Sequence, residues 1–179
     1  MDTHAYELRD ALPADAGAIA AIYAHYVLNS SVSMEEEPPE AAELARRVAE
    51  VQAAGLPWLV LLEAGRLIGY AYASKWRARP GYRHAVESSV YLAPGERGRG
   101  HGLRLYRALL AQLDGRFHTI IGGIALPNAA SIALHERLGF RQVACFPAVG
   151  HKFGAWVDVG YWQLTVPEAG RDQARREPG

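Results

Sequence analysis

The chain has 179 residues, half of them apolar and 21% charged, which is typical of a soluble globular domain. Lys and Arg number 19, as do Asp and Glu, so no net charge favours nucleic acid or an anionic membrane as a partner. No apolar run approaches the ~20 residues of a membrane span and no basic segment precedes an apolar core at the N-terminus, so we expect a soluble cytoplasmic protein.

The first part of the chain predicts one strand and two helices. The strand lies at about residues 6–9, and the helices at about 16–28 and 40–54. An apolar stripe on the first helix, which includes Tyr26, favours packing in the core over a pocket wall. The loop at 29–39 carries an acidic run that we interpret as a solvated edge.

A hairpin and a basic segment come next. The continuous apolar run at 58–63 predicts a strand covered on both faces, and residues 67–74 form its partner. The basic segment then interleaves cations with an indole: Lys75, Trp76, Arg77 and Arg79. Arginine forks pair with oxyanions, so this segment is either a clamp for a carboxylate or phosphinate or an exposed rim.

The most informative stretch is a strand, a glycine-rich turn and a helix. The strand is predicted at 86–92, and apolar residues at helical spacing begin a helix near Gly102. Between them, residues 97–102 read Arg-Gly-Arg-Gly-His-Gly. Three glycines let the backbone turn its N–H groups toward one point at a helix N-terminus, which favours an anion. The turn therefore predicts a pyrophosphate seat, with a capped surface turn as the alternative.

The last part of the chain predicts a strand at 118–125, a helix at 129–138, and strands at 140–146 and 157–166 joined by a loop that contains residues 151–154. Apolar neighbours on the first of these final strands predict a buried thiol for Cys145, the single cysteine. Residues 167–179 have no apolar pattern and predict a disordered tail. The element order indicates a mixed α/β sandwich of one sheet and helices in a single domain.

The motif Arg-x-x-Gly-x-Gly, met by Arg97, Gly100 and Gly102, resembles the acetyl-CoA loop of the GCN5-related N-acetyltransferases (GNAT). The order of elements is also similar to that fold. The resemblance implies one GNAT domain over residues 1–166 with a mixed, mostly antiparallel central sheet flanked by helices. It implies acetyl-CoA as co-substrate, no metal, and these contacts to the cofactor: Val90, Tyr91, Leu92, Arg97, Gly98, Arg99, Gly100, His101, Gly102, Asn128 and Ser131.

Further segments over about residues 6–166 resemble the phosphinothricin N-acetyltransferase group within that family. They include Pro57-Trp58-Leu59-Val60, Trp76-Arg77-Ala78-Arg79, Val86-Glu87-Ser88-Ser89-Val90-Tyr91 and residues 154–163. The resemblance implies acetyl transfer to the amine of a small amino-acid analogue such as phosphinothricin or methionine sulfoximine or sulfone. It also implies a homodimer, and a substrate site made by Met34, Lys75, Trp76, Arg77, Arg79 and Tyr106. From the balanced charge we expect no nucleic-acid or membrane partner.

Two residues match the group's catalytic positions. Glu87 would accept the proton of the amine, and His135 would supply a proton to the departing thiolate. A backbone N–H near Val90 or Tyr91 would stabilise the oxyanion if this strand separates from its neighbour. A purely structural role stays open for each of three residues. Glu87 could pair with an arginine, His135 could be a buried histidine, and Tyr106 could pack in the core. Alternative functions are acetylation of an unrelated amine, such as a polyamine or a protein N-terminus, and non-catalytic acyl-CoA binding.

Overall fold

The structure is a computed structural model that describes residues 6–166, and the predicted tail at 167–179 lies outside them. The strands are β1 (Tyr6–Asp10), β2 (Trp58–Glu63), β3 (Arg66–Lys75), β4 (Ala85–Leu92), β5 (Thr119–Ala125), β6 (Arg141–Lys152) and β7 (Ala155–Thr165). The helices are α1 (Ala16–Asn29), α2 (Ala41–Ala53), α3 (His101–Leu113) and α4 (Ala129–Arg137). None of the helices within this range is both long and apolar enough to cross a membrane.

The seven strands form one mixed sheet in the order β1-β2-β3-β4-β5-β7-β6. Every neighbouring pair is antiparallel except β4 and β5, which run parallel. These two strands pair only from Ala85–Glu87 to Thr119–Ile121 and then separate. We call the opening beyond Glu87 and Ile121 the strand split. The predicted single α/β domain with a mixed, mostly antiparallel sheet is confirmed.

Helices cover both faces of the sheet and create two apolar cores. On one face α1 and α2 pack against buried β2 and β3 residues such as Val60 and Tyr70. On the other face α3 packs against residues such as Leu61 and Ile120. Strand β2 is buried along its whole length, as its continuous apolar run predicted, because helices lie on both sides of it.

Most predicted boundaries agree with the structure to within two residues, but the C-terminal hairpin differs. Strand β6 extends to Lys152, so residues 151 and 152, predicted in a loop, lie in the strand. The predicted burial of Cys145 is wrong, because its side chain is exposed. The reason is that β6 is the outermost strand of the sheet, and apolar neighbours in sequence do not reveal that a strand lies at an edge.

Candidate active site

The strand split exposes main-chain groups of β4 that no neighbouring strand uses. At its far end, the hydroxyl of Tyr26 contacts both the carbonyl (2.8 Å) and the N–H (3.3 Å) of Leu92. These Leu92 groups therefore point away from β3. Because residues of an antiparallel pair alternate in direction, the N–H of Val90 also faces the split, and that of Tyr91 faces β3.

The glycine-rich turn forms one wall of a groove of about 390 Å³ beside the split. Gly98 (φ +77°) and Gly100 (φ +82°) are in the left-handed region, which residues with a Cβ rarely adopt. Helix α3 begins directly afterwards, so its free N–H groups face the groove. A curved backbone of this kind, at a helix N-terminus and beside Arg97, fits a pyrophosphate.

Most of the residues predicted to bind the cofactor line this groove. They are Val90, Leu92, Arg97, Gly98, Gly100, Gly102, Asn128 and Ser131. Asn128 also caps α4, since its side chain accepts a hydrogen bond from the N–H of Ser131 at 3.1 Å. The guanidinium of Arg97 lies 5.3 Å from the ring of Tyr26, a cation–π contact that holds the arginine over the groove.

Three other predicted contacts lie outside the groove lining. Tyr91 packs against the rings of Tyr23, Tyr26 and Tyr70 on the α1 side of the sheet. His101 is 97% buried and packs against Tyr6, with ring centroids 5.4 Å apart. Arg99 points to two buried carboxylates instead of the groove.

Arg99 belongs to an ion-pair network that fastens the glycine-rich turn to the sheet. It bonds to Glu96 at 2.7 Å and to Glu63, at the end of β2, at 3.3 Å. Arg66 also pairs with Glu96 at 2.6 Å, and these guanidinium groups lower the pKa of that carboxyl. Glu63, Glu96 and His101 are metal-ligand types within 4.8 Å of one another, but arginines of the chain already neutralise both carboxylates.

The sequence interpretation missed part of the groove. Tyr26, for which the sequence favours the core over a pocket wall, does both: it is 5% exposed in the apolar core and also lines the groove. Leu103 and Leu134 supply apolar walls, and Arg137, at the end of α4, supplies a second cation. Helical spacing places these residues on α3 and α4, so the sequence predicts which of them share a helix face. Only the packing of the two helices shows which face borders the groove.

Glu87 lies at the last paired rung before the split, on the face opposite α3. Its Oε1 is 3.2 Å from where a Cβ on Gly123 of β5 would be, and the ring of Tyr161 lies beside the same glycine. Burial raises the pKa of Glu87, while the charge of Arg77 partly opposes that rise. Among the described residues Glu87 has no ion pair within 4 Å, so the alternative that it forms a salt bridge with an arginine is not observed.

The basic segment surrounds a second cavity of about 350 Å³ near the start of β4. Lys75, Arg77, Arg79 and Arg83 line it, and no acidic side chain of the described residues does. Arg77 stacks over Trp76 at 4.6 Å, and Trp76 packs edge-on against Tyr161. Lys75 pairs with Val86 of β4 and so lies on the face opposite Glu87.

Met34 is held against the C-terminal hairpin. A Cβ on Gly150 would lie 2.8 Å from the Met34 sulfur, which shows how closely the side chain approaches β6. The buried Lys152 ammonium donates hydrogen bonds to the carbonyls of Ser30 (2.9 Å) and Ser33 (2.6 Å). The loop that carries Met34 is therefore fixed to β6, although Met34 lines neither cavity.

His135 and Tyr106 are buried together beneath the split. The two are 4% and 0% exposed, and the Tyr106 hydroxyl lies 3.0 Å from Nε2 of His135. Nδ1 of His135 lies 2.8 Å from the carbonyl of Ser131, and burial lowers the pKa of the imidazole. Tyr106, predicted at the substrate site, lines neither cavity, because its side chain is fully buried with its hydroxyl between Ser88 and His135.

The comparisons with known proteins agree with this geometry. Residues 8–160 match the family described as the acetyltransferase (GNAT) domain. The chain is 44% identical to a phosphinothricin N-acetyltransferase of Alcaligenes faecalis, over 86% of this chain and 83% of that protein. It is 40% identical to an L-methionine sulfoximine/L-methionine sulfone acetyltransferase of Pseudomonas paraeruginosa, over 89% and 94%. A phosphinothricin acetyltransferase of the GNAT superfamily from Sinorhizobium meliloti, solved with acetyl-CoA, superposes with a TM-score of 0.87 at 39% identity, covering 92% of this chain and 94% of that one.

Proposed function

The chain belongs to the GNAT family and is an acetyl-CoA-dependent N-acetyltransferase, and we propose that its acceptor is the amino group of a small amino-acid analogue. Phosphinothricin and methionine sulfoximine or sulfone are the acceptors named for its relatives, and they combine an amine with oxyanion or sulfur–oxygen groups. The observation that carries the proposal is the position of Glu87, half-buried at the last paired rung before the strand split, within reach of the charge of Arg77 and without an ion pair to any residue in the described range 6–166.

Glu87 is the proposed general base. An ammonium cannot attack a thioester, so one proton must leave the nitrogen before acetyl transfer. A carboxylate whose pKa burial has raised accepts a proton more readily than an ordinary one. Because no arginine bonds to it among the described residues, the carboxylate is available to an ammonium or to a bridging water.

The N–H of Val90 is the proposed oxyanion donor. The attack of the amine moves negative charge onto the thioester oxygen, and a preoriented backbone donor stabilises that charge. Val90 lines the groove, and the alternation of β4 directs its N–H into the split. The groove supplies the seat of the cofactor, with Arg97 and the glycine-rich turn at its pyrophosphate end.

Arg77 and Arg79 are the proposed clamp for the oxygen atoms of the substrate. Both line the cavity without acidic walls, and the charge of Arg77 also reaches Glu87. A guanidinium fork matches carboxylate and phosphinate oxygens, whereas it would repel a polyamine. Because the charge of Arg77 reaches Glu87, the proposed substrate places its amine toward Glu87 and its anionic end toward the basic segment.

We also propose a cytoplasmic homodimer. Large apolar side chains are exposed along the edge formed by β6 and β7: Val143, Phe146, Val149, Phe153 and Trp156. Large apolar side chains left exposed on an edge hairpin are a typical feature of self-association. Sedimentation velocity tests this directly, since Trp156→Glu should convert a dimer to a monomer. Cys145 is exposed and free, which suits a reducing compartment.

A thiol-release screen tests the acceptor. Purified protein with acetyl-CoA is offered phosphinothricin, methionine sulfoximine, methionine sulfone, methionine, spermidine and a peptide with an N-terminal alanine. We expect CoA release with the amino-acid analogues and little with spermidine or the peptide. Faster release with spermidine or the peptide would overturn the acceptor proposed here. Binding of acetyl-CoA without release for any amine would indicate a non-catalytic acyl-CoA-binding module.

A further inference from the structure

A chain of three buried hydrogen bonds leads from the strand split to His135. The Ser88 hydroxyl lies 3.2 Å from the carbonyl of Ile121, the last β5 residue paired with β4. The same hydroxyl lies 2.6 Å from that of Tyr106, which lies 3.0 Å from Nε2 of His135. All three side chains are at least 96% buried, and none lines the groove or the basic cavity.

The direction of these bonds follows from the protonation of His135. The Ser131 carbonyl 2.8 Å away only accepts, so Nδ1 carries a hydrogen. In the neutral ring Nε2 must then accept from Tyr106, and Tyr106 accepts from Ser88. In the protonated ring Nε2 donates to Tyr106, Tyr106 donates to Ser88, and Ser88 donates to Ile121. Each donor has an acceptor in both states, so a proton can arrive or leave without an unpaired buried group.

We propose that Ser88 and Tyr106 are positioning residues that carry a proton between the strand split and His135. The inference rests on the proposed acetyl transfer, in which Glu87 removes the first proton of the ammonium. After the C–N bond forms, the nitrogen must lose a second proton, and the sulfur gains one when the C–S bond breaks. Because the buried Ser88 hydroxyl lines neither cavity, a water in the strand split passes the second proton to it, and the chain stores that proton on His135. It then returns that proton through the same hydroxyls to the thiolate.

The burial of His135 supports an indirect role. A ring that is 4% exposed, with Nε2 turned toward Tyr106, cannot reach the groove without breaking both of its hydrogen bonds. Burial also favours the neutral ring, which is the form that accepts a proton. Ser88 follows Glu87 in the strand, so the chain and the proposed base reach the same rung of the sheet from opposite faces.

Tyr106→Phe and Ser88→Ala test the chain, because each removes one hydroxyl. Acetyl transfer is measured by rapid quench in a single turnover, so that product release does not limit the rate. We expect each variant to lose about 10- to 100-fold in the transfer rate, while the KM for acetyl-CoA stays within about twofold. Ser88→Thr keeps a hydroxyl and should recover most of the rate. Tyr70→Phe, which removes a buried hydroxyl in the other core, is the matched control and should transfer at the wild-type rate.

The proton inventory distinguishes transfer from packing. Rates in mixtures of H2O and D2O should give a curved dependence for the wild type, since several protons move together, and a linear one for Tyr106→Phe. Unchanged rates in Tyr106→Phe and Ser88→Ala, with a slow His135→Ala, would overturn the chain and leave the proposed acetyl transfer intact. A wild-type rate in His135→Ala would overturn the chain through His135 itself. Absence of transfer in the unmodified protein with every acceptor of the screen would instead overturn the proposed function.

Discussion

His135 packs directly against Gly122 of β5, and a Cβ on that glycine would lie 2.7 Å from Cδ2 of the ring. The ring also contacts Tyr106 and Phe140, each with centroids 5.1 Å apart, so moving it away from Gly122 would disturb these contacts. We expect Gly122→Ala to lower the free energy of unfolding by about 1–3 kcal/mol. Since the ring must move, kcat should fall as well. Denaturation and steady-state kinetics measure the two effects.

Gly17→Ala in α1 is the control for this substitution. Nothing lies within 4 Å of the added Cβ, and the position is helical. Alanine should therefore raise the free energy of unfolding by about 0.5–1 kcal/mol through its better helix propensity. If the Gly122→Ala protein had the stability and activity of the wild type, the contact between β5 and His135 would not be as tight as the structure indicates.

The pH dependence of kcat/KM for the amine tests Glu87. A base acts when deprotonated, so activity should be lost as the pH falls through its pKa, which burial raises above 4.5. Glu87→Gln should lower kcat by about 100-fold with little change in acetyl-CoA binding. Arg77→Leu removes the positive charge that partly opposes the raised pKa of Glu87, so the acidic midpoint of the kcat/KM profile should move to higher pH in this variant. An acidic limb that survives in Glu87→Gln would assign the titration to another group.

Gly100→Ala should weaken acetyl-CoA binding. The φ of +82° costs a residue with a Cβ about 1–2 kcal/mol, and relaxing it turns the backbone N–H groups away from the groove. The KM for acetyl-CoA should rise several-fold while that for the amine changes little. Gly95→Ala carries the same strain at φ +84° outside the groove lining. It should cost stability without changing either KM, and a similar KM change in both variants would contradict the proposed seat.

Arg79→Ala should raise the KM of the amine by about tenfold, because a guanidinium–oxyanion pair is lost. Arg79→Lys keeps the charge but not the planar fork, so we expect an intermediate value. The KM for acetyl-CoA, whose groove Arg79 does not line, should be unaffected. Arg107→Ala, on an exposed part of α3, controls for the loss of one positive charge. Parallel increases in both KM values would exclude a clamp specific to the amine.

Asp15 provides a test of stability against pH. Arg9 donates to both of its oxygens, at 2.6 and 3.0 Å, and the Leu12 N–H donates at 2.7 Å. The guanidinium above all keeps the pKa of Asp15 below its usual value. Stability from this carboxylate is therefore present above the unfolded pKa of about 4 and is lost as the pH falls through the lower folded pKa.

Asp15→Asn should accordingly lower the free energy of unfolding by about 1–3 kcal/mol near pH 7, and by less below about pH 4. Glu7→Gln removes a carboxylate that contacts the same arginine at 3.1 Å but is 62% exposed. Solvent screens that pair, so its loss should cost less than about 0.5 kcal/mol. A constant effect of Asp15→Asn over the whole pH range would contradict the charge-based account.

Local pattern determined much of the fold. Helical spacing, glycine and proline punctuation and the fully apolar β2 run each act over a few residues, so they predicted the element order and most boundaries. The same locality explains the failure at the C-terminal hairpin. Whether β6 continues past Phe146 depends on its pairing with β7, and whether Cys145 is covered depends on the place of β6 at the sheet edge.

The sequence by itself determined the glycine-rich turn before α3, the family resemblance and the candidate residues Glu87 and His135. Only the tertiary structure decided what each candidate contacts. It turned Arg99 and His101 toward Glu63 and Glu96, buried Tyr106 between Ser88 and His135, and opened β4 from β5 beyond Glu87. The physical reason is that the charge and size of a side chain follow from its residue type alone. Its contact partners, in contrast, lie on strands and helices that are distant in the sequence.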